Sequence, residues 1–314
     1  MILEQIGVVG LGLLGRGIVA CFLRQGFDVI GFTPTEQEHA TARSEISRMM
    51  LTTQDWEARF HPVTNFDRFV ECTFVVESVP EDLGTKTAVL DALERVVAPT
   101  VVIASNTSAI PISVLQRTRK HPQRMVGMHW AEPAHLTRFL ELIRGDQTSD
   151  DAFEATFAMG RRLGKDPIAC QKDVPGFIVN RIAYAMYREA CHLIETGVAD
   201  AESIDHSLRN SLGLWASICG PLRWIDISGG PALYARAMER VLPTLSNSST
   251  IPKVLSELAD SGAAGITNGQ GFYRYTPEEA LEWQDRYHRQ VAEVSKMQDR
   301  EFPLDKSIKL GNAT

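Results

Sequence analysis

Ile6-Gly7-Val8-Val9-Gly10-Leu11-Gly12-Leu13-Leu14-Gly15 is the stretch that decides the fold of this chain. A short apolar strand runs straight into three glycines spaced G-x-G-x-x-G. A helix-like stretch from Arg16 to Gln25 follows and stops at Gly26. Asp28-Val29-Ile30-Gly31-Phe32 then supplies a second strand. In such a unit the first two glycines, Gly10 and Gly12, let the turn close and the backbone approach a pyrophosphate. Gly15 lets the helix pack on the strand, and the amides of Leu13 and Leu14 face the phosphates at the positive end of the helix. The same glycines would also serve a tight turn without a ligand. The strand–turn–helix–strand context points instead to a dinucleotide.

At the end of the second strand, where a dinucleotide fold usually offers an acidic side chain to the ribose, stands Thr33. Threonine does not repel a 2′-phosphate, yet no arginine follows until Arg43. NAD is the expected cofactor, and NADP is not excluded. Thr35-Glu36-Gln37-Glu38 fits a capping box that starts the next helix.

Working outward, further strands are expected at Phe74-Val75-Val76, Val101-Val102-Ile103-Ala104 and Arg124-Met125-Val126-Gly127-Met128, with helices between them such as 83–97. This alternation predicts an α/β domain, a doubly wound parallel sheet with helices on both faces. From Pro175 onward the periodicity turns helical, with helices expected at 176–196, 201–211, 231–241 and 252–261, then a polar helix from Pro277 to about Gln298 and a loose tail. The expected organisation is a Rossmann dinucleotide-binding domain over 1–173 and an all-α domain over 174–314 that closes the cleft.

Bulk properties narrow the function classes. The chain has 314 residues, 44% hydrophobic and 23% charged, which is the balance of a globular protein with room for two domains. A net charge of −7 argues against nucleic acid or an anionic membrane as the main partner. No apolar run has the length of a membrane span. The cysteines (Cys21, Cys72, Cys170, Cys191 and Cys219) form no C-x-x-C pair and no zinc spacing with histidine, so reduced thiols and no metal are expected. The first strand begins within a few residues of Met1 and leaves no room for a targeting peptide, so the cytoplasm is the default location.

Four pieces fall at or just beyond strand ends, where an open α/β sheet places its ligands. They are Glu77-Ser78-Val79-Pro80-Glu81 with Lys86, then Ser105-Asn106-Thr107-Ser108, then His129-Trp130-Ala131-Glu132-Pro133 with Glu141, then Pro175-Gly176-Phe177-Ile178-Val179-Asn180-Arg181. Oxidising an alcohol needs a base for the hydroxyl proton beside a cofactor that takes the hydride. A neutral imidazole serves as that base, and a carboxylate on its far nitrogen stabilises the imidazolium. Asn106 and Thr107 read equally as turn formers and as cofactor contacts.

In order and spacing these motifs, with Gly220-Pro221 and Gly271-Phe272-Tyr273 further on, resemble the L-3-hydroxyacyl-CoA dehydrogenase superfamily, whose relatives include carnitine and gulonate dehydrogenases and a lens crystallin. The resemblance implies His129 as catalytic base and Glu141 as its orienting carboxylate. It implies Ser108 at the reacting oxygen, Asn180 holding substrate against His129, and Glu81 and Lys86 beside the nicotinamide ribose. It also implies a homodimer through the helical domain. The substrate it puts first is a (3S)-3-hydroxyacyl-CoA, as in fatty acid metabolism. A CoA-free polar 3-hydroxy compound, carnitine-like or gulonate-like, comes second, and a catalytically silent cofactor binder is the reading from another class.

Two departures bear on substrate. Family members usually carry asparagine or another neutral residue where this chain has Glu132. A carboxylate there should raise the proton affinity of His129 and repel an anionic acyl group. Glu132 either contacts a polar or cationic part of the substrate, with help from Trp130, Trp215 or Trp224, or turns outward to an arginine such as Arg138. Acyl-CoA enzymes of the family also carry a long lysine-rich excursion between the second and third strands. Here the stretch 33–63 has no lysine, and Arg43, Arg48 and Arg59 are its fixed cations.

Overall fold

The computed structural model describes residues 4–50 and 55–304. Its elements, in chain order, are β1 (Gln5–Val9), α1 (Leu13–Arg24), β2 (Asp28–Phe32), α2 (Gln37–Met49), α3 (Trp56–Arg59), β3 (Phe60–Val63), β4 (Phe74–Glu77), α4 (Leu83–Val96), β5 (Val102–Ser105), α5 (Ile112–Gln116), β6 (Met125–Trp130), β7 (Phe139–Ile143), α6 (Asp150–Arg162), β8 (Asp166–Cys170) and α7 (Val179–Glu195). These are followed by α8 (Ala201–Asn210), α9 (Leu212–Ala216), α10 (Pro221–Ile227), α11 (Pro231–Val241), α12 (Lys253–Asp260) and α13 (Pro277–Glu301). The chain divides into two compact units, one built on the residues up to Arg181 and one on Ile182–Pro303.

In the first unit the eight strands form one sheet in the order β3-β2-β1-β4-β5-β6-β7-β8. Neighbours are parallel except β6 and β7, which run antiparallel. Both faces are covered, so the central strands read as continuous apolar runs. Ile6 and Val8 of β1 pack with Ile18, Phe22 and Phe60 on one face, while Val9 packs with Val75, Phe69 and Ile103 on the other. Gly7 is required at the second of these faces, because a Cβ there would lie 2.6 Å from the Phe69 ring.

The doubly wound sheet and the helical second half agree with the sequence expectation. The structure adds β3, β7, β8, α9 and α10, and it extends β6 to Trp130, one residue past His129, the residue expected to end the strand. β3 and β8 occupy the two edges and carry Pro62 and Pro167, residues tolerated only where no neighbour needs the missing N–H. The expected C-terminal tail beyond Leu304 lies outside the described residues.

One expectation is corrected. Thr35 and Glu38 do not form a capping box: the residue preceding α2 is Glu36, with helical dihedrals, and no side chain caps the helix. The Thr35 hydroxyl donates instead to the Glu38 carboxylate (3.2 Å), whose other oxygen accepts from the Thr33 hydroxyl. The Glu38 amide donates to the Thr35 carbonyl (3.3 Å) rather than to its side chain, which leaves the Thr35 hydroxyl to the carboxylate.

Candidate active site

At the carboxyl ends of the parallel strands lies a cleft of about 700 Å³, lined by Gly10–Gly15, by Phe32, Thr33, Pro34 and Glu38, by Ser78–Glu81, and by Asn106, Ser108 and Glu132. Gly10 adopts φ +94°, a conformation that L side chains rarely accept, and a Cβ on it would sit 2.6 Å from the Ser78 carbonyl oxygen. A Cβ on Gly15 would come within 1.8 Å of the Gly10 oxygen, so alanine there forces the turn open. Gly12 differs: a Cβ on it would meet nothing within 4 Å, because it faces the open cleft. No side chain caps the start of α1. First-turn amides without an intrahelical partner thus remain for a phosphate, so the residues present fit a dinucleotide.

The wall beside the glycine loop is held by a buried cluster. Glu77, at the end of β4, accepts from Lys86 Nζ (2.9 and 3.2 Å), Ser105 Oγ (2.5 Å) and the amide of Val79 (2.7 Å). Lys86 and Glu77 are fully buried, and Lys86 does not line the cleft. It stands one layer behind the wall, where removing one partner of such a pair typically costs about 3–5 kcal/mol. Glu81 does line the cleft. Its Oε1 accepts from the amides of Ser108 (3.0 Å), Ala109 (2.8 Å) and Ile110 (3.2 Å) and from the Thr107 hydroxyl (2.6 Å). Burial alone would raise the Glu81 pKa. These donors and the Lys86 charge outweigh burial and hold it below the usual carboxylate range. Asn106 ties three strand ends together, its amide donating to Ser78 Oγ (3.1 Å) and its oxygen accepting from the Trp130 amide (3.0 Å).

His129 and Glu141 face each other across the antiparallel pair: they are direct register partners of β6 and β7. Partners opposite each other share a face of the sheet, and His129 Nδ1 lies 2.9 Å from Glu141 Oε2. Both are buried, at 5% and 1% exposure. The other Glu141 oxygen accepts from the amide of Val179 (2.9 Å), the first residue of α7. Phe139 and Phe177 hold the imidazole from two sides, with ring centroids 5.6 and 5.7 Å away. With Nδ1 engaged by a carboxylate, Nε2 is the nitrogen left to accept a proton. Asn180, next along α7, donates to the Ser108 carbonyl (3.1 Å). A chain of contacts therefore runs from His129 through Glu141, Val179 and Asn180 to Ser108.

Glu132 is half-buried in the cleft wall. Burial pushes its carboxyl pKa up, while the Ala134 amide and the Arg16 charge draw it back. Arg138, the arginine considered from sequence, lies 3.6 Å from Asp166. The loop carrying Glu132 is clamped from beneath by Lys165, whose ammonium donates to the carbonyls of Ala134 and Thr137. Among the described residues no cluster of side chains could hold a metal ion, and no helix is long and apolar enough to cross a membrane.

Residues 5–174 match the family model for the 3-hydroxyacyl-CoA dehydrogenase NAD-binding domain, and 176–275 match that for the C-terminal domain. The chain belongs to the 3-hydroxyacyl-CoA dehydrogenase family. Like its family, it is an oxidoreductase that acts on a secondary alcohol with NAD as cofactor. It is 30% identical over 305 residues to the 5-formyl-3-hydroxy-2-methylpyridine 4-carboxylate 5-dehydrogenase of Mesorhizobium japonicum, covering 94% of this chain and 98% of that one. A probable 3-hydroxybutyryl-CoA dehydrogenase of Deinococcus radiodurans is 32% identical over 282 residues, covering 86% of this chain and all of the relative. A crystal structure of a 5-formyl-3-hydroxy-2-methylpyridine 4-carboxylic acid 5-dehydrogenase, described as an NAD+ dependent dismutase, superposes with a TM-score of 0.88 at 29% identity. That match covers 96% of this chain and 99% of that one.

Sequence reasoning missed three groups in this family member. Glu38 reads as a helix-start residue, and only its reach back to Thr33 places it in the cleft. The Val179 amide carries no side-chain signal. The Glu77–Lys86–Ser105 cluster leaves one hint, a lysine nine residues after a strand-end glutamate.

Proposed function

We propose that this enzyme oxidises the secondary hydroxyl of a small, polar, CoA-free substrate, with His129 as general base. The observation that carries the reading is that two of the three arginines between β2 and β3 are tied to backbone carbonyls, while Arg48 is an exposed cation paired with its neighbour Glu45. Arg43 donates to the Phe60 carbonyl (3.0 Å), Arg48 to Glu45 (2.7 Å), and Arg59 to the carbonyls of Leu23 (3.1 Å) and Asp55 (3.5 Å). Binding a group as anionic as CoA calls on several available cations. The described residues of this segment offer none beyond these three, so the CoA thioester, expected first from sequence, moves to second place. The near full-length likeness to a dehydrogenase of a pyridine carboxylate supports the same order.

In this reading, Nε2 of His129 takes the hydroxyl proton as the C–H bond gives up its hydride. Glu141 stabilises the imidazolium that forms, and the Val179 amide anchors the far carboxylate oxygen. Ser108 and Asn180 hold the reacting oxygen, and Glu132 meets a cationic or hydrogen-bond-donating part of the substrate. NAD, when bound along Gly10–Gly15, supplies the hydride acceptor.

A panel of carnitine-like, gulonate-like and pyridine-based alcohols beside 3-hydroxyacyl-CoA esters, followed by NADH absorbance, tests the reading with wild type and Glu132→Asn. Turnover of a CoA-free alcohol, with a kcat/KM that falls roughly tenfold in the variant as expected for loss of one charge-assisted hydrogen bond, is the expected result. Turnover of the esters alone would reverse the order of substrates. No turnover of any compound would favour a cofactor-binding protein without catalysis.

We also propose that the second unit carries a homodimer interface. Within 182–303 of the described residues only Cys191, Ile204 and Ala280 are buried apolar side chains. Ile182, Tyr187, Leu214, Leu222, Ile251 and Leu281 remain between 52% and 78% exposed. So much uncovered apolar surface on a helical unit calls for a partner, and a second copy covers it at both ends of a two-fold axis. Light scattering on the eluting protein should give twice the chain mass; a monomer at assay concentration removes the idea.

A further inference from the structure

The structure assigns recognition of the adenosine ribose, and rejection of a 2′-phosphate, to Glu38 rather than to the residue that ends β2. Thr33 is fully buried, and its hydroxyl is spent as a donor to Glu38. Glu38 lies in the first turn of α2 and lines the same cleft as the glycine loop, Phe32, Thr33 and Pro34. Two threonine hydroxyls hold its carboxylate there, Thr33 on one oxygen and Thr35 on the other (3.2 Å). An ionised carboxylate accepts about four hydrogen bonds, so each oxygen keeps room for one ribose hydroxyl. The acidic group absent from the end of the strand is thus restored from the following helix.

Charge supports the same assignment. A 2′-phosphate placed here would meet the Glu38 carboxylate. The nearest arginine in sequence, Arg43, donates to the Phe60 carbonyl (3.0 Å) and lies over the Phe60 ring, 5.3 Å from its centroid. It is held on the β3 side by both contacts. A phosphate at the ribose would therefore face the Glu38 carboxylate while Arg43 is turned to Phe60, which disfavours NADP directly.

The test measures binding rather than turnover, so it stands or falls separately from the proposed substrate. NADH and NADPH are each titrated into the cofactor-free protein and followed by nucleotide fluorescence, for wild type, Glu38→Gln and Glu38→Arg, with thermal midpoints recorded alongside. Wild type should bind NADH at least roughly tenfold more tightly than NADPH, and Glu38→Gln should weaken NADH by about tenfold, the scale of one lost charge-assisted hydrogen bond. Glu38→Arg should tighten NADPH by a similar factor of about ten by pairing with the phosphate. A NADH-to-NADPH ratio unchanged in both variants overturns the assignment. So does a parallel loss of both nucleotides, which local unfolding of α2 would produce.

Discussion

Replacing His129 with alanine should lower kcat by about 10²–10⁴-fold, the range that a positioned general base contributes, while NADH binding stays close to wild type. The two effects separate because the residues lining the cofactor cleft do not include His129. His129 is held instead by Glu141 and the rings of Phe139 and Phe177. The alanine variant leaves Glu141 buried with one oxygen lacking its partner, so its thermal midpoint should fall too. His129→Gln fills the space and controls for that loss. Steady-state kinetics with NADH titrations on both variants decide the matter. A fall in kcat of less than about tenfold in both would remove His129 from the role of base.

Glu141→Gln should be nearly as damaging, for a reason visible in its two hydrogen bonds. Both oxygens of Glu141 accept, one from His129 Nδ1 and one from the Val179 amide. Glutamine has one accepting oxygen and one donating NH₂, so one donor must face another donor. If the NH₂ turns to His129, the imidazole is pushed toward the wrong tautomer. If it turns to Val179, the first amide of α7 is buried unsatisfied. The first arrangement lowers kcat by roughly 10²–10⁴-fold. The second costs about 1–3 kcal/mol of stability. Kinetics and denaturant unfolding on the same variant distinguish them. An activity and a midpoint both equal to wild type would mean that the carboxylate does not orient the base.

The parts of this structure that could be read from sequence are those whose signals are local. β1, its glycine turn, α1 and β2 form within about thirty consecutive residues, and each step has its own punctuation, from the glycines to the stop at Gly26. The amphipathic helices of the second half are legible for the same reason. β3 and β8 were not, because Pro62 and Pro167 make poor strand signals and only an edge position tolerates them. His129 and Glu141 were legible as a pair but not as register partners, since that depends on β6 and β7 running antiparallel in an otherwise parallel sheet. Lys86 and Glu38 mark the opposite limit. Burial took the first out of the cleft and two threonine hydroxyls brought the second into it, and both outcomes depend on three-dimensional neighbours.

The reversal of direction between β6 and β7 has an evolutionary consequence. The separation of His129 from Glu141 is set by the ladder itself, not by the loop 131–138 that joins the two strands. Partly exposed side chains of that loop such as Glu132 can be exchanged while the ladder keeps the base opposite its carboxylate, whereas buried Ala134 and the carbonyls held by Lys165 fix the loop's backbone. A one-residue slip within β6 or β7, by contrast, would carry His129 or Glu141, respectively, to the other face of the sheet. Glu132 is one of the tolerant positions and the base one of the intolerant ones. A lineage built this way can change what it oxidises without relearning how to oxidise it.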